Sequence, residues 1–213
     1  MSDKKRFDYV FCDLDGTLLE DKQRHYECYK AIVKKYGGKC IPPDEYWNDK
    51  RDKVKRTVLL EKTGFQGTYD DYLSEWLALI ETPEFLKYET LKPDTLSFLE
   101  WLRYNSEHIV LITQRRNREN LLSQLKKLGI SGYFEEVVSG DHKTDILYGK
   151  YNKDSLVIGD TEADEETAEI IGCSFIAITS GLRNANCFSY SLKADNLSDI
   201  IQTAGEKPNN DGA

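Results

Sequence analysis

Histidine is scarce in this chain of 213 residues, the cysteine count is odd, long apolar runs are missing, and positive charge is in deficit. His25, His108 and His142 show no ligand spacing and are assigned no chemistry. Cys12, Cys28, Cys40, Cys173 and Cys187 are scattered and form no CxxC pair. A disulfide framework and a zinc site are therefore both poor readings. Cys12 and Cys173 flank apolar runs and read as small buried hydrophobes. The basic opening MSDKKRF runs into a short apolar stretch broken by Asp13. That is neither a signal peptide nor a membrane span, so a reducing cytoplasm and no membrane partner are expected. The net charge of −8 argues against nucleic acid as the main partner, because a phosphate backbone needs a basic face. A small phosphorylated ligand needs only a local positive site.

What is present is an apolar run that stops on acid: Tyr9-Val10-Phe11-Cys12-Asp13-Leu14-Asp15-Gly16-Thr17-Leu18-Leu19. In a strand, alternate residues point the same way, so Asp13 and Asp15 begin on one face. Gly16 lets the backbone turn away. Two clustered carboxylates repel unless a proton or a cation relieves them, and a hard divalent cation with oxygen ligands is the obvious relief. Read alone, the same residues also make an ordinary surface turn with solvated acids.

With 39% hydrophobic and 31% charged residues, the chain suits a soluble α/β domain carrying a smaller inserted unit. Strands are predicted at Tyr9–Cys12, Ile109–Thr113, Glu136–Val138, Leu156–Gly159 and Phe175–Thr179. Helical patterns alternate with them, which implies a parallel sheet covered by helices. One helix carries Leu121, Leu122, Leu125 and Leu128 and closes at Gly129; another runs from about Asp164 to Ile171 and closes at Gly172. A third starts near Pro93, with Leu96, Leu99 and Leu102 as its buried stripe. Residues 20–88 hold helical patterns at Tyr26–Tyr36, Tyr46–Leu60 and Tyr72–Ile80. They read as a helical domain over the carboxyl end of the first strand, where open α/β sheets bind ligands. Residues 1–19 and 89–204 then form the core, and the polar tail 205–213 is expected to be disordered.

Two later strand ends add to the first. Ile109-Val110-Leu111-Ile112-Thr113 ends in a hydroxyl followed by Gln114. Leu156-Val157-Ile158-Gly159-Asp160-Thr161 ends in Gly-Asp, with Asp164 four residues beyond Asp160. Asp164 also fits a plain helix N-cap role. Lys143 lies between these segments in a polar loop. Taken in order, Asp13-x-Asp15-Gly16-Thr17, Thr113, Lys143 and Gly159-Asp160-x-x-x-Asp164 resemble the four motifs of the haloacid dehalogenase-like hydrolase superfamily. The likeness covers most of the chain outside the insertion and tail. The insertion resembles the small helical cap of the phosphoglycolate phosphatase and β-phosphoglucomutase-like subfamily.

This resemblance implies a Rossmann-like α/β core with an inserted helical cap and a Mg²⁺-dependent phosphatase of small phosphorylated metabolites. It implies that Asp13 attacks phosphorus to give an aspartyl-phosphate and that Asp15 acts as general acid and base. Thr113 and Lys143 would hold the phosphoryl group, with Thr17 and Gln114 beside the substrate. Asp13, Asp160 and the backbone carbonyl of Asp15 would ligate Mg²⁺, and Asp164 would support them. The chemistry agrees: a carboxylate attacking an anionic monoester needs a cation and a lysine to lower the repulsion. An acid at position 15 favours phosphoryl transfer over dehalogenation. A phosphosugar mutase and a non-catalytic phospho-ligand-binding protein remain alternatives.

There are departures. Gln114 stands where a small residue or Asn is more familiar. Lys143 lacks a following Pro and sits close to Asp160, so Lys150 and Lys153 compete for its role. Arg115, Arg116 and Arg118 crowd a helix N-terminus, where the macrodipole disfavours positive charge. They call for a nearby anion, either substrate or acidic protein groups; the plainer reading is a solvated cluster with Arg115 paired to Glu119. In the insertion, Lys50, Arg51, Lys53, Lys55 and Arg56 form a basic run, mostly a solvated face. Lys50 or Arg51 is the candidate to reach the substrate. Trp47, Trp76 and Trp101 read as packing residues.

Overall fold

Successive apolar residues of each strand-forming run point to opposite faces of one sheet and so fall into two packed sets. The computed structural model describes residues 5–140, 154–189 and 192–205. The strands are β1 (Phe7–Cys12), β4 (Ser106–Thr113), β5 (Glu136–Ser139), β6 (Leu156–Gly159), β7 (Ser174–Ile178) and β8 (Leu192–Ala194). They form a six-stranded, all-parallel sheet in the order β5-β4-β1-β6-β7-β8. Val10, Cys12, Ile109, Leu111, Leu156 and Ile158 pack on one face with α6 (Thr95–Asn105), α7 (Arg118–Lys127) and the last helix, α9 (Leu197–Gly205). Phe11, Val110, Ile112, Val157 and Ala177 pack on the other with α8 (Glu162–Ile171). Being covered on both faces makes these strands nearly continuous apolar runs.

The chain leaves and re-enters this layer through a short antiparallel pair, β2 (Leu19–Glu20) and β3 (Thr90–Leu91), with Leu19 opposite Leu91. Between them lie α1 (Lys22–Lys35), α2 (Pro43–Arg51), α3 (Arg56–Glu61), α4 (Tyr69–Leu79) and α5 (Pro83–Leu86). These helices enclose their own apolar cluster, built on Tyr29, Ile32, Tyr46, Leu60, Tyr72 and Trp76.

Several sequence expectations need correcting. The helix expected over Tyr46–Leu60 is two helices, α2 and α3, broken where Lys53 takes a left-handed conformation at φ 59°. That conformation ends a helix. The helix expected over Tyr72–Ile80 begins at Tyr69, where Thr68 and Asp71 form a reciprocal capping box. The stripe expected on α6 is shifted: Leu96 is exposed, whereas Thr95, Phe98, Leu99 and Leu102 are buried. Leu122 is likewise exposed while Leu121 and Leu125 are buried. Thr179 falls just outside β7. The pair β2–β3 and the elements α5 and β8, each at most four residues long, were not expected; nor was α9, although Leu197, Ile200 and Ile201 give it an apolar face. Cys12 is fully buried and Cys173 half-buried. Lys143, Lys150, Lys153, His142 and the tail beyond Gly205 lie outside the described residues.

Phe98 on α6 is fully buried against the sheet. Phe98→Ala should therefore destabilise the protein by about 3–5 kcal/mol, read from the urea midpoint. A loss below about 1 kcal/mol would contradict the packing described here.

Candidate active site

Strand register brings distant acids together. Cys12 lies abreast of Leu111 on β4 and of Ile158 on β6, and the Asp13 amide donates to the Ile158 carbonyl at 2.9 Å. The residues that follow, Asp13, Thr113 and Asp160, therefore emerge at the same carboxyl edge of three adjacent central strands. There Asp13, Asp160 and Asp164 are all buried, and each offers a carboxylate oxygen within 4.8 Å of the others.

Three glycines give the cluster its room. A Cβ on Gly16 or Gly181 would run into the Asp160 carboxylate, and one on Gly159 into Asp164. Gly16 also needs its freedom for a φ of +75°. The Leu182 amide donates to Asp160 Oδ2, while Asp160 Oδ1 is buried and has no hydrogen-bond partner among the described residues. Burial, and then the charges of Asp13, Asp21 and Asp164, push the Asp160 carboxyl well above its ordinary range. Asp164 is not itself the N-cap of α8. Thr161 is, and Asp164 Oδ2 accepts from the Thr161 amide at 3.1 Å and hydroxyl at 2.7 Å. An orphaned buried oxygen among clustered acids, in a cradle of glycines, fits a hard divalent cation.

Thr17 is buried and its hydroxyl donates to Asp13 Oδ2 at 3.2 Å. Thr113 is buried at the end of β4, its Oγ1 accepting from the Arg115 amide at 3.4 Å. Gln114 is exposed and lines a cavity of about 320 Å³ with Asp15, His25, Trp76 and Arg115. Lys50 and Arg51 are not drawn to the acid cluster. Lys50 turns to His25 Nδ1, and Arg51 donates to the Thr179 carbonyl.

Asp15 keeps different company from Asp13. The Arg115 guanidinium grips it as a fork, with Nε 2.9 Å from Oδ2 and Nη2 donating to Oδ1. Arg24 Nη2 lies 3.2 Å from Oδ1. Both arginines also meet the buried Glu89, Arg115 Nη2 at 2.8 Å and Arg24 Nε at 2.7 Å. Gln124 bridges Arg115 and Glu89. Burial would raise the Asp15 carboxyl, but the Arg115 and Arg24 charges prevail and hold it well below the usual carboxylate range. Glu89 absorbs the opposite effect: burial, together with Asp15, lifts it to about 7 against the two arginines. The expected Arg115–Glu119 pairing is thus replaced by a buried network. The anion at the start of α7 is the Glu81 carboxylate, which accepts from the amides of Arg116 and Asn117. Sequence reasoning marked Arg115 as needing an anion; Arg24, Glu81 and Glu89 carried no comparable signal.

A family model described as haloacid dehalogenase-like hydrolase matches residues 10–178. The chain is 26% identical over 201 residues to a phosphoglycolate phosphatase of Neisseria gonorrhoeae, covering 81% of this chain and 80% of that protein. It is 24% identical over 193 residues to a phosphoglycolate phosphatase of Rhodobacter capsulatus, covering 80% and 84%. Among solved structures, a haloacid dehalogenase superfamily hydrolase of subfamily IA from Geobacter sulfurreducens superposes with TM-score 0.69 at 18% identity, covering 96% and 99%. A protein described as a predicted phosphatase from Clostridium acetobutylicum gives 0.70 at 17%, covering 93% and 97%. These two share the fold.

If a cation relieves the acid cluster, Mg²⁺ a hundredfold above its Kd should raise Tm by about 5–10 °C. In Asp160→Asn this shift should vanish, while the metal-free variant melts no lower than metal-free wild type because repulsion is relieved. Equal Mg²⁺ shifts in both proteins, read by scanning calorimetry, would contradict the assignment.

Proposed function

We propose, from the premise that this chain belongs to the haloacid dehalogenase-like hydrolase family, that it is a Mg²⁺-dependent phosphatase. In this reading it hydrolyses small phosphorylated metabolites through an aspartyl-phosphate, and residues 20–88 act as a cap over the site. The observation that carries it is the convergence of Asp13, Asp160 and Asp164 at one sheet edge, beside two buried threonine hydroxyls. The curated relatives that carry the name phosphoglycolate phosphatase support a phosphate monoester as substrate.

Asp13 and Asp160, with the backbone carbonyl of Asp15, would hold Mg²⁺, and Asp164 would steady Asp160. The cation supplies charge neutralisation, letting a carboxylate approach an anionic phosphoryl group. Asp13 forms a bond to phosphorus as the bond to the leaving alcohol breaks; water then displaces the Asp13 oxygen and releases inorganic phosphate. Thr17 orients the nucleophile through its hydrogen bond to Oδ2, and Thr113 offers a hydroxyl to the transferred group. Asp15 moves the protons. Its grip by Arg115 and Arg24 keeps it ionised, the form that takes a proton from the attacking water. Protonating the leaving oxygen requires the carboxyl to leave that fork. Lys143 retains its proposed phosphoryl-binding role from sequence.

Wild type with Mg²⁺ should release phosphate from p-nitrophenyl phosphate and from members of a metabolite panel. Asp13→Asn should lower kcat by at least about 10³-fold, and chelation should abolish turnover reversibly. Metal-independent release, or an Asp13→Asn variant of near-normal rate, would defeat the proposal.

A further inference from the structure

A second cavity, of about 500 Å³, opens among α1–α4 and the loop after β7. That size falls within the about 300–1,000 Å³ typical of sites enclosing a drug-sized ligand. It is larger than the body of a two-carbon acid requires. Its walls combine two kinds of group. Tyr29, Tyr46, Tyr72 and Trp76 supply aromatic surface. Lys50, Lys53, Arg56 and Arg183 supply positive charge, and no acidic side chain lines it among the described residues.

Two of the four cations are already compensated. Lys53 and Arg183 both pair with Glu162. Lys50 and Arg56 have no carboxylate partner among the described residues and rest on ring faces instead. Lys50 Nζ lies 5.2 Å from the Trp76 centroid, and the Arg56 guanidinium carbon lies 5.3 Å from the same ring. Aromatic faces compensate a cation only in part. Lys50 is further held in place by His25. Burial, then the charges of Lys50 and Arg24, keep that ring well below its ordinary range and hence neutral. Nδ1 accepts from Lys50, while Nε2 lies 3.2 Å from Arg24 Nη2 and 3.3 Å from Asp21 Oδ2. Burial lowers Lys50 itself to about 7, with Asp21 opposing and Arg56 and Arg24 adding to the drop. A bound anion would restore its charge.

The cavity adjoins the acid cluster. Leu182, whose amide binds Asp160, lines it, and His25 and Trp76 line both this cavity and the one that holds Asp15. We infer that the substrate is a phosphate monoester whose leaving alcohol carries a ring and a second anionic group, the latter seated between Lys50 and Arg56. This rests on the phosphatase reading and deepens it.

The test uses the full chain with Mg²⁺ and matched aryl phosphates bearing a para carboxylate on spacers of zero, one or two methylenes, each beside its uncharged amide. A second arm compares 1,4-phenylene bisphosphate with phenyl phosphate, separating carboxylate from phosphate as the second anion. At the best-fitting length, kcat/KM for the acid or bisphosphate should exceed that of its uncharged partner at least tenfold. Arg56→Met should bring the ratio close to one, and Arg56→Lys should retain most of it. Ratios near one at every length in wild type, or a ratio unmoved in Arg56→Met, would overturn the inference. Calorimetric binding of the same pairs to Asp13→Asn needs no turnover. Equal affinities there reject the second-anion site whatever the kinetics. A preserved preference with no phosphate release by wild type supports the site and rejects the phosphatase reading.

Discussion

Three buried carboxylates held within a few ångströms repel one another, and the sheet leaves them no way to separate. Asp13 is fixed by the hydrogen bond its amide donates to the Ile158 carbonyl, Asp160 by the Leu182 amide and the glycines around it, and Asp164 by the Thr161 cap. Like charges in a water-poor site are tolerated only when a proton or a cation intervenes. The raised Asp160 carboxyl, and an Oδ1 without a partner among the described residues, are the local signs of that repulsion. The repulsion is placed where it is useful, since the field of three clustered acids is one that favours a divalent cation.

Asp15 solves the opposite problem. Only Leu14 separates it from Asp13 in sequence, yet it is surrounded by positive charge. Two acids placed in opposing environments are how a site divides roles between carboxylates. The groups that hold Asp15 come from both parts of the chain: Arg24 lies on the first helix of the insertion and Arg115 just after β4, with Glu89, just before β3, meeting both. The helices of the insertion thus help set the state of a site acid. Further links join the end of α2 to the sheet edge: Arg51 to the Thr179 carbonyl, Arg183 to the Lys50 carbonyl, and Asn184 to Asp52. These contacts place the aromatic and cationic residues of the helical unit next to the acid cluster.

Much of this was legible beforehand. The central strands declare themselves through Val10–Cys12, Ile109–Thr113 and Leu156–Gly159, because burial on both faces forces continuous apolar runs. The acids at their ends follow from register alone. Asp164 also reads as a helix start, although Thr161 is the N-cap and Asp164 its partner three residues on. Other features were not legible. The break at Lys53 depends on a left-handed backbone that lysine does not advertise. Leu96 and Leu122 fit a helical stripe by spacing, but the sheet receives a face rotated towards Thr95 and Phe98, and Leu121 and Leu125. The Arg24–Glu89–Arg115 network joins residues far apart in the chain, and no local pattern encodes such a meeting. Trp76 read as a packing residue and His25 was assigned no chemistry; only the fold shows that each lines two cavities at once.

The most direct measurement is a crystal structure of the protein grown with Mg²⁺ and fluoroberyllate, a mimic of a phosphorylated carboxylate. The cation should lie between Asp13 and Asp160, with beryllium bonded to an Asp13 oxygen and the Thr113 hydroxyl turned towards the fluorides. Density for the cation or the beryllium anywhere other than among these side chains, or an Asp13 carboxylate left unmodified while Mg²⁺ is bound, would contradict a phosphoryl-transfer centre at this sheet edge.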